Sequence, residues 1–451
     1  MGINRRMFIA GAAVTLVVLD AHAADTPPPA PAPPTDGFRV VTARAALARI
    51  MPAPARETAI LGFDGLCPGP LIRVRQGTEV KLRLVNALPE PTTLHVHGMR
   101  APNAMCGAAP LAQAAIEPGA SFDYRFTAQD SGLAFYHPLA GPNAAAQAAR
   151  GLFGLLIVDE PDPPKVDRDI ILALDAWTLD AAGQPAAGAV PLATANAKPL
   201  PETIVAPPGA RVRLRLLNAA PSRLMVVSFA GFKPLIAAID GQPCDAFEPL
   251  RQTIPVGPGA RFDLFFDLPS EAAALASVIL RGEPGPDGRP VPDQTIAVFT
   301  LEGERGRPAP PIGEQPLVHN PALPPQIKLQ EAKRLDLVVD GAGDMRTLNG
   351  LKTQGAPADK PLFSVKRGAP VSLGLVNKTG VVHAVYVHGH VMRLLHDLDD
   401  GWEPYWRDTV LVPSGKTKHV AFNADNPGKW MIQCIQCDGT LGSLAGWFEV
   451  S

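Results

Sequence analysis

Three segments of this chain repeat one pattern: an apolar strand, a glycine, a second strand of alternating character, then an asparagine. They are PLIRVRQGTEVKLRLVN at 70–86, TIVAPPGARVRLRLLN at 203–218 and LFSVKRGAPVSLGLVN at 362–377. The spacing from glycine to asparagine is nine residues each time: Gly77 to Asn86, Gly209 to Asn218 and Gly368 to Asn377. Runs such as Val80-Lys81-Leu82-Arg83-Leu84 alternate with period two, the mark of a half-buried strand. Three copies of one strand pair predict three homologous β-sandwich units, each long enough for a Greek-key arrangement.

Punctuation between the copies sets the expected boundaries. The first unit spans 37–162 and ends on Pro-Asp-Pro-Pro; the second spans 163–303; a Pro-rich linker, 304–327, leads to the third at 328–451. Fifty prolines and only 6% aromatic residues agree with an all-β chain of many turns. A charged fraction of 19% and a net charge of -2 exclude a nucleic-acid footprint. The five cysteines, Cys67, Cys106, Cys244, Cys434 and Cys437, are too few and scattered for a disulfide framework.

Residues 1–23 read as an address. Arg5 and Arg6 precede a short apolar stretch, and Ala21-His22-Ala23 fits a cleavage site. Twelve apolar residues are too few to span a bilayer, which needs about 20, so no membrane anchor is expected after cleavage. Arg-Arg before Met7-Phe8-Ile9 resembles the twin-arginine signal; a general secretory signal is the alternative. Either route predicts an exported, periplasmic protein. Residues 24–36 form a Pro-rich spacer.

Histidines cluster in the first and third units. TLHVHG carries His95 and His97, FYHPL carries His137, and HAVYVHGH carries His383, His388 and His390. Alternation puts His95 and His97 on one face of a strand. Cys434 and Cys437 follow near the C-terminus in WMIQCIQCDG. Imidazole and thiolate gathered on β-sandwiches point to copper.

At these residues the chain resembles the laccase-type multicopper oxidases over essentially its whole mature length. TLHVHG is similar to their H-x-H-G motif, GLAFYHPL to H-x-H, and HAVYVHGH to H-P-x-H-L-H-G-H. The resemblance implies three cupredoxin-like domains and a copper cofactor. Carried over position by position, it places His383 and Cys434 at blue-site ligands, His95 at a type 2 ligand, and His97, His137 and His388 at type 3 ligands. Five other ligand positions hold different residues: Leu139, Tyr386, Gln433, Ile435 and Gly439, with Leu444 at the axial position. Cys106 stands where the family has an acidic proton relay.

The repeat supports two of these alignments independently. Asn86 plus nine and eleven gives His95 and His97; Asn377 plus nine and eleven gives Tyr386 and His388. Gly132 plus five is His137, whereas Gly428 plus five is Gln433. The second unit has Val227 and Phe229 at the strand positions and is expected to act as a spacer.

With so many positions changed, four-copper reduction of oxygen is not expected. His95, His97, His137 and His388 are expected to converge between the first and third units, where they could hold one Cu or Zn ion or persist as hydrogen-bonded relics. Cys434 and Cys437 could form a disulfide, the favoured pairing, or bind Cu(I) with His383, or stay as packed thiols. Three functions follow: a scaffold with a cell-envelope protein partner, an oxidoreductase with a reduced copper site, or a single-metal copper-handling protein. The sequence names no substrate. Trp406, Trp430 and Trp447 are expected in cores, His396 and His419 at the surface, His390 as a non-ligand, and Cys67 and Cys244 as buried small apolar groups.

Overall fold

The structure is a computed structural model that describes residues 36–451, apart from 140, 190, 272, 283–290, 305–309, 354–356 and 397–400. The export signal, the spacer up to residue 35 and part of the second linker lie outside the described residues. Among those described, no helix is long and apolar enough to cross a membrane.

Six sheets form three pairs, and each pair encloses one apolar core. In the first, strands Thr58–Phe63, Arg39–Ala48, Glu79–Asn86 and Ser121–Thr127 form one sheet, and Gly69–Arg75, Gly154–Asp159, Gly132–His137 and His95–His97 the other. Leu82 and Leu84 from the first sheet meet Ile72, Val96, Tyr136 and Leu156 from the second. The second and third pairs, of six and five strands and of five and five, repeat the scheme. In every copy the repeat strand lies between a parallel and an antiparallel neighbour. Glu79–Asn86 pairs parallel to Arg39–Ala48, Arg211–Asn218 to Arg168–Thr178, and Ala369–Asn377 to Lys333–Asp340. These are the three cupredoxin-like sandwiches of an all-β chain.

The recurring Gly and Asn have a structural cause. Gly77, Gly209 and Gly368 adopt φ of 83°, 72° and 81°, which glycine reaches without steric cost. Each asparagine closes the far end of its strand in the same way. Asn86 Nδ2 donates to the carbonyls of Glu90 and Ile116 while its Oδ1 accepts from the Leu88 N–H. Asn218 does so with Arg223, Val256 and Ala220, and Asn377 with Val381, Val412 and Thr379. Three buried main-chain groups are satisfied by one side chain, and the chain is aimed into the segment that carries the histidines.

Two expectations need correction. No disulfide joins Cys434 and Cys437, or any other pair of the five cysteines, all of which lie among the described residues. Cys434 lies within the extended strand Gly428–Gln436, and three residues along such a strand span about 10 Å, beyond the roughly 7 Å limit between Cα atoms of a disulfide. The second unit is also more than a spacer, because its Arg261 and Asp240 tie the other two units together, as described below. Trp406, Trp430 and Trp447 are buried as expected, His419 is exposed, Cys244 is buried, and Cys67 is only half-buried.

Candidate metal centre

The pairing register assembles the site. His95 lies directly opposite His137 on adjacent strands of the first unit. In the third unit the equivalent cross-strand pair is Tyr386 opposite Gln433. The two units bring these pairs face to face. His95, His97 and His137 each direct a ring nitrogen into one space, all three atoms within 4.8 Å of one another. The His95 and His388 ring centroids are 4.7 Å apart. Thus four of the six sequence-derived positions converge.

Tyr386 occupies the middle of this group. Its hydroxyl is 3.1 Å from His95 Nε2, and its ring stacks on His97 with centroids 3.7 Å apart. Gln433 Oε1 accepts from His388 Nε2 at 2.8 Å. Leu139, Gln433 and Ile435 line a cavity of about 90 Å3 together with His97 and His137. Two of the changed side chains, Tyr386 and Gln433, therefore contact the remaining imidazoles directly.

Burial sets the protonation of the group. It depresses His95 and His97 far below the usual imidazole range, brings His137 to about 4, and brings His388 to about 3. All four rings are neutral at pH 7, the form that binds metal. His137 Nδ1 lies 2.9 Å from the Pro138 carbonyl and donates to it. Its Nε2 then presents a lone pair, and this buried atom has no hydrogen-bond partner. An unmatched buried nitrogen beside two other imidazoles is what a metal site leaves behind without its ion.

His383 and Cys434 sit apart from this group, lining a small cavity whose other walls include Leu337, Val339, Leu375, Val385 and Val412. His383 Nε2 is 3.0 Å from Thr379 Oγ1, and its Nδ1 has no hydrogen-bond partner. Gly439 instead approaches Arg223, and Leu444 pairs with Cys434 across the strands. One imidazole and one thiol face this cavity, short of the trigonal His2Cys set of a blue site. His390 is a packed core ring among Phe422, Trp430 and Phe448.

Two features go beyond the sequence reading, which carried Cys106 only as far as the relay position of the resemblance. Cys106 lies against the cluster, its Sγ 3.7 Å from His95 Nδ1 and 3.9 Å from His388 Nδ1. Its Met-Cys-Gly context was visible, but nothing local indicated an approach to a residue 282 positions away. The second is a buried ionic junction. Arg261 of the second unit donates to the carbonyls of Leu133, Gly259 and Asp240 and to the Asp408 carboxylate. Asp240 in turn accepts from the Asp408 and Thr409 N–H groups at 3.1 and 3.0 Å. Asp408 Oδ1 lies 3.7 Å from His97 Nε2, so the junction reaches the imidazole group. Gly259 abuts His97 so closely that a Cβ there would fall 2.4 Å from the ring.

Comparison with known proteins agrees with this geometry. Residues 46–163 and 323–437 each match a multicopper oxidase family. The multicopper oxidase MmcO of Mycobacterium tuberculosis is 27% identical, over 88% of this chain and 86% of its own length. Among solved structures, a multi-copper oxidase from Pseudomonas thermotolerans superposes with a TM-score of 0.80 at 29% identity, covering 92% of this chain and 99% of that one. Lac15 from a marine microbial metagenome gives 0.75 at 30% identity, covering 91% and 99%. Three cupredoxin sandwiches with imidazoles gathered between the first and third define a copper-binding oxidoreductase fold. The chain belongs to the multicopper oxidase family.

Proposed function

We propose that the mature chain is a periplasmic copper-binding member of this family, with fewer coppers than the four-copper oxidases and without laccase-type reduction of oxygen. The observation that carries this is Tyr386. Its hydroxyl is hydrogen-bonded to His95 at the position where the repeat would place an imidazole. Leu139, Gln433 and Ile435 leave too few donors for a trinuclear cluster. A single ion fits better. His95 would hold it together with one of the two donor sets that share its ring, His97 with His137 or Cys106 with His388, and bound copper would supply one-electron chemistry there. The protein keeps these rings neutral and shields them from bulk water. Tyr386 and Gln433 orient His95 and His388 through their second nitrogens.

Metal content tests this reading. Mature protein purified from copper-replete cells is expected to carry about one copper per chain, and His95→Ala to carry none while remaining folded. Four coppers per chain with blue-site absorption would refute the reduced site. Zero metal in the wild type would instead favour a metal-free scaffold acting on a cell-envelope partner.

A further inference from the structure

We infer that Cys106, with His95 and His388, forms a buried cuprous-ion site of two imidazoles and one thiolate where the first and third units meet. This rests on the copper-binding reading above and assigns the ion's donors. The donor set is new to this position, because Cys106 stands where an acidic residue was expected from the resemblance.

Metal bonds of about 2.3 Å to sulfur and about 2.0 Å to nitrogen, at about 110–120°, separate the two donor atoms by about 3.5–3.7 Å. Cys106 Sγ lies 3.7 Å from His95 Nδ1 and 3.9 Å from His388 Nδ1. All three donor atoms fall within 4.8 Å of one another, and all three residues are buried.

The tautomers agree for His388. Its Nε2 donates to Gln433 Oε1, whose amide nitrogen is held by Ser443 Oγ at 3.2 Å. The His388 proton is therefore on Nε2, and the Nδ1 lone pair faces the sulfur. His95 Nδ1 donates to the Cys106 carbonyl at 2.6 Å, and its Nε2 faces the Tyr386 hydroxyl. Metal binding at Nδ1 moves that proton to Nε2, with Tyr386 Oη as acceptor, and leaves the Cys106 carbonyl as a weak oxygen neighbour of the ion.

The loop is built for this approach. Gly107 adopts φ +79°, and a Cβ on it would lie 2.3 Å from the Leu94 carbonyl oxygen, so only glycine lets the loop close on the His95 strand. The Ala108 N–H hydrogen-bonds the Cys106 sulfur and favours its thiolate, while burial pushes the thiol up to about 12. Without metal it remains a thiol. The step is Cys106–SH plus Cu(I) giving Cys106–S–Cu(I) and one proton released to solvent; no electron is transferred. A soft thiolate with imidazoles selects the cuprous ion.

The experiment is anaerobic titration of the full mature chain with Cu(I) against a chromophoric chelator, followed by copper K-edge absorption. One sulfur neighbour at about 2.3 Å is expected beside nitrogen at about 2.0 Å. Cys106→Ser, with circular dichroism showing retained fold, should remove the sulfur neighbour and weaken Cu(I) at least about tenfold. His388→Gln should weaken it similarly and keep the sulfur. Cys434→Ser and Cys437→Ser should change neither. Copper bound by nitrogen alone, with Cys106→Ser unaltered, would overturn the thiolate site and leave the copper-binding reading intact. Loss of sulfur in Cys434→Ser in place of Cys106→Ser would also overturn it. Wild-type protein that takes up no copper would sink both.

Discussion

Asp175 shows how one side chain sets a pH dependence. It is fully buried on strand Arg168–Thr178, with one carboxyl oxygen accepting from the Ala176 N–H and the other without a hydrogen-bond partner. Burial raises it to about 8. Between about pH 4 and 8 the folded state keeps a proton that the unfolded chain loses. Stability from the neutral carboxyl is thus complete below about 4 and is lost as pH rises to about 8. Asp175→Asn, which mimics the protonated form, is expected to be the more stable protein at pH 8 and to match the wild type at pH 4. Urea midpoints across that range would show a slope reduced by up to about 1.4 kcal/mol per pH unit. The histidines act with the opposite sign. His137, His383 and His390 are held near 4 and His388 near 3, so their burial costs stability as pH falls from about 6.5. Tyr386→Phe removes the hydroxyl facing His95 and keeps the ring stacked on His97. A loss of about 1 kcal/mol is expected by thermal melting of the metal-free protein.

At the level of elements, the three asparagines give an unusually controlled comparison. Asn86, Asn218 and Asn377 make the same three hydrogen bonds in three cores. Substituting each by alanine removes three hydrogen bonds to main-chain groups, although the Ile116 carbonyl keeps the Thr92 N–H and the Val381 carbonyl keeps the Thr379 hydroxyl, at an expected cost of about 2–4 kcal/mol per site. Denaturant unfolding should give three similar values; a much smaller effect at one site would show that its strand end is held by other contacts. The strand repeat was legible in the sequence because local alternation and a fixed nine-residue spacing survive in every copy. The convergence of His95, His97 and His137 was legible through the resemblance: alternation alone puts only His95 and His97 on one strand face, and the match to the H-x-H motif brought in His137. Tyr386 was correctly placed by the repeat arithmetic, but its bond to His95 crosses 291 residues and leaves no local trace. Cys106 was placed at the relay position near the cluster by the resemblance, with its metal state left open, but its approach to His388 was not legible because a contact between two units has no periodicity.

Across the whole molecule, Arg261 decides how three sandwiches become one body. It is fully buried and joins Leu133 of the first unit to Asp408 of the third from its place in the second. Arg261→Met would leave Asp240 and Asp408 buried without their cation, which costs about 3–5 kcal/mol. Limited proteolysis should then cut between units before it cuts within them, and Asp408→Asn in the same chain should recover part of the loss. Arg100 adds a second tie, pairing with Asp130 at 2.7 Å and Asp425 at 3.4 Å.

The asparagine clamp has one further consequence. It grips main chain, while donor identity is decided at positions nine and eleven residues downstream and on the facing strands. Scaffold and donor list are thus inherited separately, and a lineage is free to edit the second one letter at a time while the first stands. The path runs both ways: a chain carrying Leu139→His, Tyr386→His, Gln433→His and Ile435→His is expected to keep the wild-type fold by circular dichroism and to bind more copper per molecule.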